Sequence, residues 1–232
     1  MRIALLGYGK MGKVIERIAL ERGHEIVLRK SSTSDFEGLE LANVAIDFSI
    51  PDSAVANITA CFERGIPVVS GTTGWLEQYD KMVTLCHENE GSFLYGSNFS
   101  LGVNLFFELN SYLAQLMAKF DQYQVSMEEI HHTQKLDKPS GTAISLANGI
   151  MEHTNHTNWS IEKQTPNELP IDVKRIDNVP GTHRIFYTSA VDTIEISHTA
   201  HNREGFALGA IIAAEWLASR KGVYTMKDVL EL

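Results

Sequence analysis

Short, uninterrupted apolar runs punctuate the first part of the chain, at residues 3–6, 26–28, 44–48, 67–69 and 93–95. Runs this short and this apolar suit strands buried on both faces. Between them the period changes. Met11, Val14, Ile15, Ile18 and Ala19 recur at helical spacing, as do Val55, Ile58, Thr59 and Phe62. Strand and helix in alternation predict a parallel, doubly wound sheet. Right-handed crossovers then put helices on both faces.

The pattern changes near residue 101. Residues 103–120 read as one amphipathic helix, with Leu105, Phe106, Leu109, Leu113 and Leu116 on one side. A strand is expected at 123–130, and Ser140 looks like the N-cap of a helix over 142–152. Residues 153–169 are polar and aperiodic and read as loop. Three alternating runs, at 171–176, 184–188 and 193–198, predict a mostly antiparallel sheet with one polar face. Residues 205–219 read as a helix. The expected fold is α/β: an N-terminal Rossmann-like, doubly wound parallel sheet, then a C-terminal α+β domain with a mixed or antiparallel sheet. The expected domains are 1–100, dinucleotide-binding, and 101–205, substrate-binding, with 206–232 packing back on the first.

Gly7, Tyr8, Gly9, Lys10, Met11 and Gly12 form GxGxxG between a strand and a helix. Gly7 permits the tight turn, Gly9 lets backbone approach a pyrophosphate, and Gly12 allows close helix–strand packing. The helix N-terminus offers free amides and the positive end of its dipole to phosphate. Alone the motif is weak; its place in a strand–turn–helix makes dinucleotide binding the expectation over a glycine-rich turn that binds nothing. Where an acidic residue would grip the ribose of NAD, the second strand ends in Arg29, Lys30, Ser31 and Ser32. These suit the 2′-phosphate of NADPH, with a solvated basic turn as the plainer alternative. Two further loops leave strand ends where ligands sit: Gly71, Thr72 and Thr73, and Gly96, Ser97, Asn98 and Phe99. In the second, Phe99 is a candidate to pack on a nicotinamide.

The formal net charge of -9 argues against general affinity for nucleic acid or an anionic membrane. It does not exclude a local basic pocket. No apolar run approaches the ~20 residues of a membrane helix. The two cysteines, Cys61 and Cys86, fall in helical pattern and show no zinc-ligand spacing, so no metal is expected. The opening residues run straight into a strand without a signal-peptide layout, and a reducing cytoplasm is the simplest setting.

The densest chemistry lies at 129–143, where Glu129, His131, His132, Lys135, Asp137, Pro139, Ser140, Gly141, Thr142 and Ala143 follow one another. Histidine titrates near neutral pH and can move a proton. Lysine supplies a point charge or a proton. The Ser140–Thr142 amides, at a helix N-terminus, make a second anion cradle. Two anion sites flanking a proton donor suit a substrate with two carboxylates; a basic turn followed by an ordinary helix cap is the structural alternative.

At these residues the chain resembles the 4-hydroxy-tetrahydrodipicolinate reductases (dihydrodipicolinate reductases) of bacterial lysine and diaminopimelate biosynthesis. The family pattern Glu-x-His-His-x-x-Lys-x-Asp-x-Pro-Ser-Gly-Thr-Ala is complete here. The likeness extends over the opening GxGxxG, the Gly71-Thr72-Thr73 loop, residues 98–104 and residues 226–230. The resemblance implies that His131 is a proton donor or acceptor and Lys135 a proton donor. It implies that His132, Gly141 and Thr142 bind substrate with Ser140 beside them, and that residues 7–12, 71–73 and 96–99 hold the cofactor. It further implies NAD(P)H-dependent reduction of a cyclic, unsaturated dicarboxylate with loss of water, by a homotetramer assembled through the second domain's sheet. In one respect the chain departs from the pattern: many members carry an acidic residue near the place of Arg29 and Lys30, and the stretch after residue 30 is short. NADPH is therefore the favoured cofactor, with NADH the other. The rival readings are another two-domain NAD(P)-dependent dehydrogenase and a non-catalytic NADPH-binding regulator.

Overall fold

The computed structural model describes residues 1–31, 34–162, 165, 167–202 and 204–232. Ser32 of the basic turn lies outside them. The chain divides into two compact units, Met1–Leu101 with Glu204–Leu232, and Gly102–Arg203.

The first unit opens with β1 (Arg2–Leu6), α1 (Lys10–Glu21), β2 (Glu25–Lys30), β3 (Val44–Asp47), α2 (Pro51–Glu63), β4 (Val68–Ser70), α3 (Tyr79–Glu88) and β5 (Ser92–Tyr95). After the second unit the chain returns as α6 (Glu204–Leu217), β11 (Gly222–Tyr224) and α7 (Met226–Leu230). Six strands pair in parallel in the order β11-β5-β4-β3-β1-β2. Successive residues of one strand serve opposite cores. Ile3 and Leu5 pack with α1 and α6, whereas Ala4 and Leu6 pack with α2 and α3. That two-sided burial is why these strands read as continuous apolar runs. The two short terminal elements, β11 and α7, carry no periodic signal of their own. A capping box between Thr225 and Asp228 starts α7.

The second unit contains α4 (Leu101–Met117, all but its first residue), β6 (Gln124–His131), α5 (Gly141–Met151), β7 (Asn158–Ser160), β8 (Glu168–Arg175), β9 (Gly181–Thr188) and β10 (Thr193–Ala200). Its sheet has the order β10-β9-β6-β8-β7. β6 pairs antiparallel with β9 and β9 with β10, but β6 pairs parallel with β8 and β8 with β7. The sheet is therefore mixed rather than mostly antiparallel. The crossover from β6 through α5 is long enough to return the chain in the same direction, which a hairpin cannot do. Part of the expected 153–169 loop forms β7, which pairs with β8 and packs Trp159 against the core of this unit.

Helix α4 turns its apolar side differently from the expectation. Val103, Phe106, Asn110, Ala114 and Met117 are buried, while Leu105 and Leu109 are each about half exposed. The helix carries two apolar stripes, and helical spacing alone cannot choose between them. The choice falls on the stripe bearing Asn110, whose side-chain amide donates to the Leu146 carbonyl of α5 at 2.9 Å.

Candidate active site

In the first unit the loops after β1, β3, β4 and β5 leave the C-terminal ends of neighbouring strands. The chain departs to opposite sides from β1, the switch point where such sheets bind ligands. Gly7 has φ of +109°, and a Cβ there would lie 2.2 Å from the Phe48 carbonyl oxygen. A Cβ on Gly12 would lie 2.3 Å from the Gly7 carbonyl oxygen. Gly9 is the opposite case: it is exposed, and a Cβ there would meet nothing within 4 Å. It caps α1 with no side-chain hydrogen bond to the first turn. Two glycines thus close the turn, and the third leaves room before an uncapped helix N-terminus, the arrangement that receives a pyrophosphate. Lys10 is exposed beside it and Met11 half-buried.

The basic turn is already engaged. Arg29 Nε donates to Glu16 Oε1 at 2.7 Å, and the Tyr8 hydroxyl donates to the same carboxylate. Arg29 and Tyr8 together hold Glu16 below the usual carboxylate range. The Lys30 ammonium lies 4.8 Å from the centre of the Phe36 ring.

The other two loops divide into exposed and structural residues. A Cβ on Gly71 would lie 2.3 Å from the Phe48 ring. The Thr72 hydroxyl donates to Asp47 Oδ2 at 2.8 Å and accepts the Ser49 amide at 2.8 Å, so that side chain serves the fold. Thr73 and Ser97 are exposed. Asn98 is buried and accepts the Ser100 amide at 2.9 Å. Phe99 is also buried, its ring 5.6 Å from that of Phe48 and against Gly96.

In the second unit, Glu129 and His131 lie on one face of β6, with Arg175 of β8 opposite His131 and His183 of β9 opposite Glu129. Glu129 is fully buried. Its Oε2 accepts the Ser140 amide and its Oε1 accepts Arg175 Nη2, both at 3.0 Å. His131 Nδ1 lies 3.6 Å and His183 Nε2 3.8 Å from Oε2. The two rings meet edge to face with centroids 5.2 Å apart. His183 Nε2 is 3.2 Å from Ser140 Oγ, which also accepts the Ala143 amide as the N-cap of α5. Gly181 leaves room at the Nε2 edge of His131; a Cβ there would be 3.0 Å from Nε2.

These contacts set the charge states. Burial lowers the His131 pKa to about 4 against the pull of Glu129, and lowers that of His183 to about 3. Both are neutral imidazoles near pH 7. Burial alone would raise Glu129, but hydrogen bonds from Ser140 and Arg175 and the nearness of His131 outweigh it and leave the carboxyl below its ordinary value. Glu129, His131 and His183 bring donor atoms within 4.8 Å, the spacing of metal ligands. Here, however, the Arg175 guanidinium shares the carboxylate, and its charge opposes a cation.

His132 leaves the strand and starts the turn, its carbonyl accepting the Lys135 amide at 3.1 Å. With Thr133, Gln134 and Asp177 it lines a cavity of about 290 Å³. The Lys135 ammonium pairs with Asp137 at 2.8 Å. Gly141 is exposed and Thr142 half-buried at the start of α5. The unit thus gathers an ammonium, two neutral imidazoles and a helix N-terminus at one end.

Family models for dihydrodipicolinate reductase match both parts of the chain, the N-terminus over residues 1–99 and the C-terminus over residues 102–230. The chain belongs to the dihydrodipicolinate reductase family. A 4-hydroxy-tetrahydrodipicolinate reductase of Christiangramia forsetii is 53% identical over 99% of this chain and 98% of its own length. One of Archaeoglobus fulgidus is 32% identical over 100% of both. Among solved structures, a dipicolinate-bound dihydrodipicolinate reductase from Paenisporosarcina sp. TG-14 has the same fold, with a TM-score of 0.76 at 23% identity over 97% of each chain. An engineered D-amino acid dehydrogenase bound to NADP+ is a more distant likeness, with a TM-score of 0.52 at 14% identity over 97% of this chain and 93% of its own.

The reductase-family assignment agrees with the resemblance read from residues 129–143. Sequence reasoning assigned no part to Arg175 or His183 and no role to Glu129. Glu129 stood in plain view within the motif. Arg175 and His183 sit among other polar residues, at the end of β8 and within β9, and the one local signal was a histidine on the inward-facing parity of β9.

Proposed function

We propose that this protein reduces 4-hydroxy-tetrahydrodipicolinate to tetrahydrodipicolinate with loss of water, in diaminopimelate and lysine biosynthesis. One observation carries the reading. Every fixed position of the His-His-Lys signature is present, and the fold draws its parts to one end of the second unit around Glu129. Full-length kinship to proteins of that name supports it.

The glycine cradle fits a nicotinamide dinucleotide, held by Gly7, Gly9 and Gly12 with Tyr8, Lys10 and Met11, and by the loops bearing Gly71, Thr73, Gly96 and Ser97. When bound, that cofactor supplies the hydride. NADPH is the favoured form, because Arg29 and Lys30 offer cationic groups and β2 itself ends in no acidic residue to grip a ribose hydroxyl. In the second unit the α5 N-terminus, with Ser140, Gly141 and Thr142, takes one substrate carboxylate. His132 and the Lys135 ammonium attract the other. Lys135 Nζ carries the proton that completes the product. His131, neutral because it is buried, orients the ring and can accept a proton but does not start as the acid.

A cytoplasmic homotetramer assembled through the second unit's sheet belongs to the same reading. The sheet face opposite α4 and α5 presents exposed Lys174, Arg184 and Glu195 around Glu128, alternating charges of the kind that lets a surface meet its own copy. A sedimentation mass of one chain would remove that part.

The test of the reaction is reduced-nicotinamide oxidation with substrate made in place from pyruvate and aspartate semialdehyde by the preceding synthase. Synthase-dependent oxidation, faster with NADPH, is expected. Folded protein that binds NADPH without turnover would leave a regulator.

A further inference from the structure

Lys135 stands on the segment 132–140, which joins β6 to α5 and has no regular structure along most of its length. A proton donor on such a segment needs something to hold it. Arg175, at the end of β8, grips it by the backbone. Its Nε donates to the Lys135 carbonyl at 3.2 Å and its Nη2 to the Asp137 carbonyl at 2.6 Å. The same Nη2 donates to Glu129 Oε1 at 3.0 Å, and Nη1 to the Lys174 carbonyl at 2.8 Å. The Arg175 side chain is only 10% exposed and the Glu129 side chain 0%. Glu129 holds the far end of the segment through the Ser140 amide. Both partners of the Lys135–Asp137 ion pair are thus fixed through their own carbonyls by one guanidinium. The planar fork of arginine does this; an ammonium on a flexible stem cannot match its geometry.

We propose that Arg175 is a positioning residue for the reaction: braced by Glu129, it sets the place from which Lys135 delivers its proton. This rests on the reductase reading given above. Arg175 is assigned no contact with substrate, so its loss acts through Lys135. A misplacement of about 1 Å in a reacting group can cost a factor of about 100 in rate.

The experiment is a double-mutant cycle on the full-length protein with the coupled assay. Wild-type turnover comes first; its absence overturns the reductase reading and is a separate failure. With an active wild type, Arg175→Ala is expected to lower kcat by about 10- to 100-fold while the Kd for NADPH stays within about twofold. The solvent deuterium isotope effect on kcat is expected to rise as proton transfer becomes limiting. In a Lys135→Ala background, Arg175→Ala should cost little more, because the group it positions is gone. Arg175→Lys, which keeps the charge and loses the fork, should remain impaired, and guanidinium ion added to Arg175→Ala should restore part of the rate. Losses that multiply in the double variant, or full activity in Arg175→Lys, would overturn the proposal. If Arg175→Ala does not fold, Arg175→Lys and Arg175→Gln enter the same cycle and are judged by the same criteria.

Discussion

Replacing Asp47 with alanine probes the base of the proposed cofactor loops. The carboxylate ends β3, is fully buried, and takes four hydrogen bonds: Ser49 Oγ at 2.7 Å and Asn57 Nδ2 at 2.8 Å on one oxygen, Ser70 Oγ and Thr72 Oγ1 at 2.8 Å on the other. These donors come from the loop after β3, from α2, from β4 and from the loop after β4. Ser49 and Asn57 lie within 3.2 Å of each other and can pair again. Ser70 and Thr72 are buried and lose their acceptor, Thr72 keeping only a long contact to Ser49 Oγ at 3.4 Å. At ~1–3 kcal/mol for each stranded donor, Asp47→Ala should cost ~2–6 kcal/mol. Asp47→Asn keeps the shape and lets the hydroxyls turn to accept. Burial also raises the Asp47 pKa, so its charged form is penalised in place, and a neutral amide escapes that penalty. A loss of ~1–2 kcal/mol is expected. The assay is urea unfolding followed by tryptophan fluorescence. The chain has three tryptophans. Trp159→Phe leaves Trp75 and Trp216, both in the first unit. Trp75 donates its indole N–H to the Thr72 carbonyl at 2.7 Å and so reports on this network. An Asp47→Ala protein within ~0.5 kcal/mol of wild type at unchanged m, or an asparagine variant less stable than the alanine one, would refute the reasoning.

Three other outcomes are expected. Gly12→Ala puts a methyl 2.3 Å from the Gly7 carbonyl oxygen, backbone that cannot step aside, so NADPH affinity should fall at least tenfold by fluorescence titration; unchanged affinity would mean the turn is not the cradle. Glu16→Gln releases Arg29 from an exposed ion pair of ~0.2–1 kcal/mol, so NADPH should bind up to a few-fold tighter and NADH should not change; an equal gain for both would detach Arg29 from the 2′-phosphate. His131 and His183 take up protons at an ordinary pKa of 6.5 when unfolded but near 4 and 3 when folded. The unfolded chain therefore binds more protons in that window, and stability, complete above about pH 6.5, declines as pH falls toward 4 and below. His183→Gln should flatten the decline of Tm between pH 6.5 and 4, and an unaltered slope would exclude His183 as a source.

By itself the chain determined the local order. Strands buried on both faces announced themselves as apolar runs, Gly7, Gly9 and Gly12 announced a tight strand-to-helix turn, and residues 129–143 announced the family. These are features of near neighbours in sequence, where period and spacing carry the information. Tertiary structure decided partnership. Whether Arg29 is free or paired depends on Glu16, one helix away. Thr72 and Phe99 sit on predicted cofactor loops, yet one serves Asp47 and the other the core. Which apolar stripe of α4 faces inward was settled by what it packs against, and whether β6 runs with or against β8 by a crossover whose direction no strand records. Arg175 reaches Glu129 across 46 residues, and His183 meets Ser140 across 43. A lone arginine or histidine in a strand has the same local pattern whatever it touches. Its role exists only once pairing register brings the other half of the contact within hydrogen-bond distance.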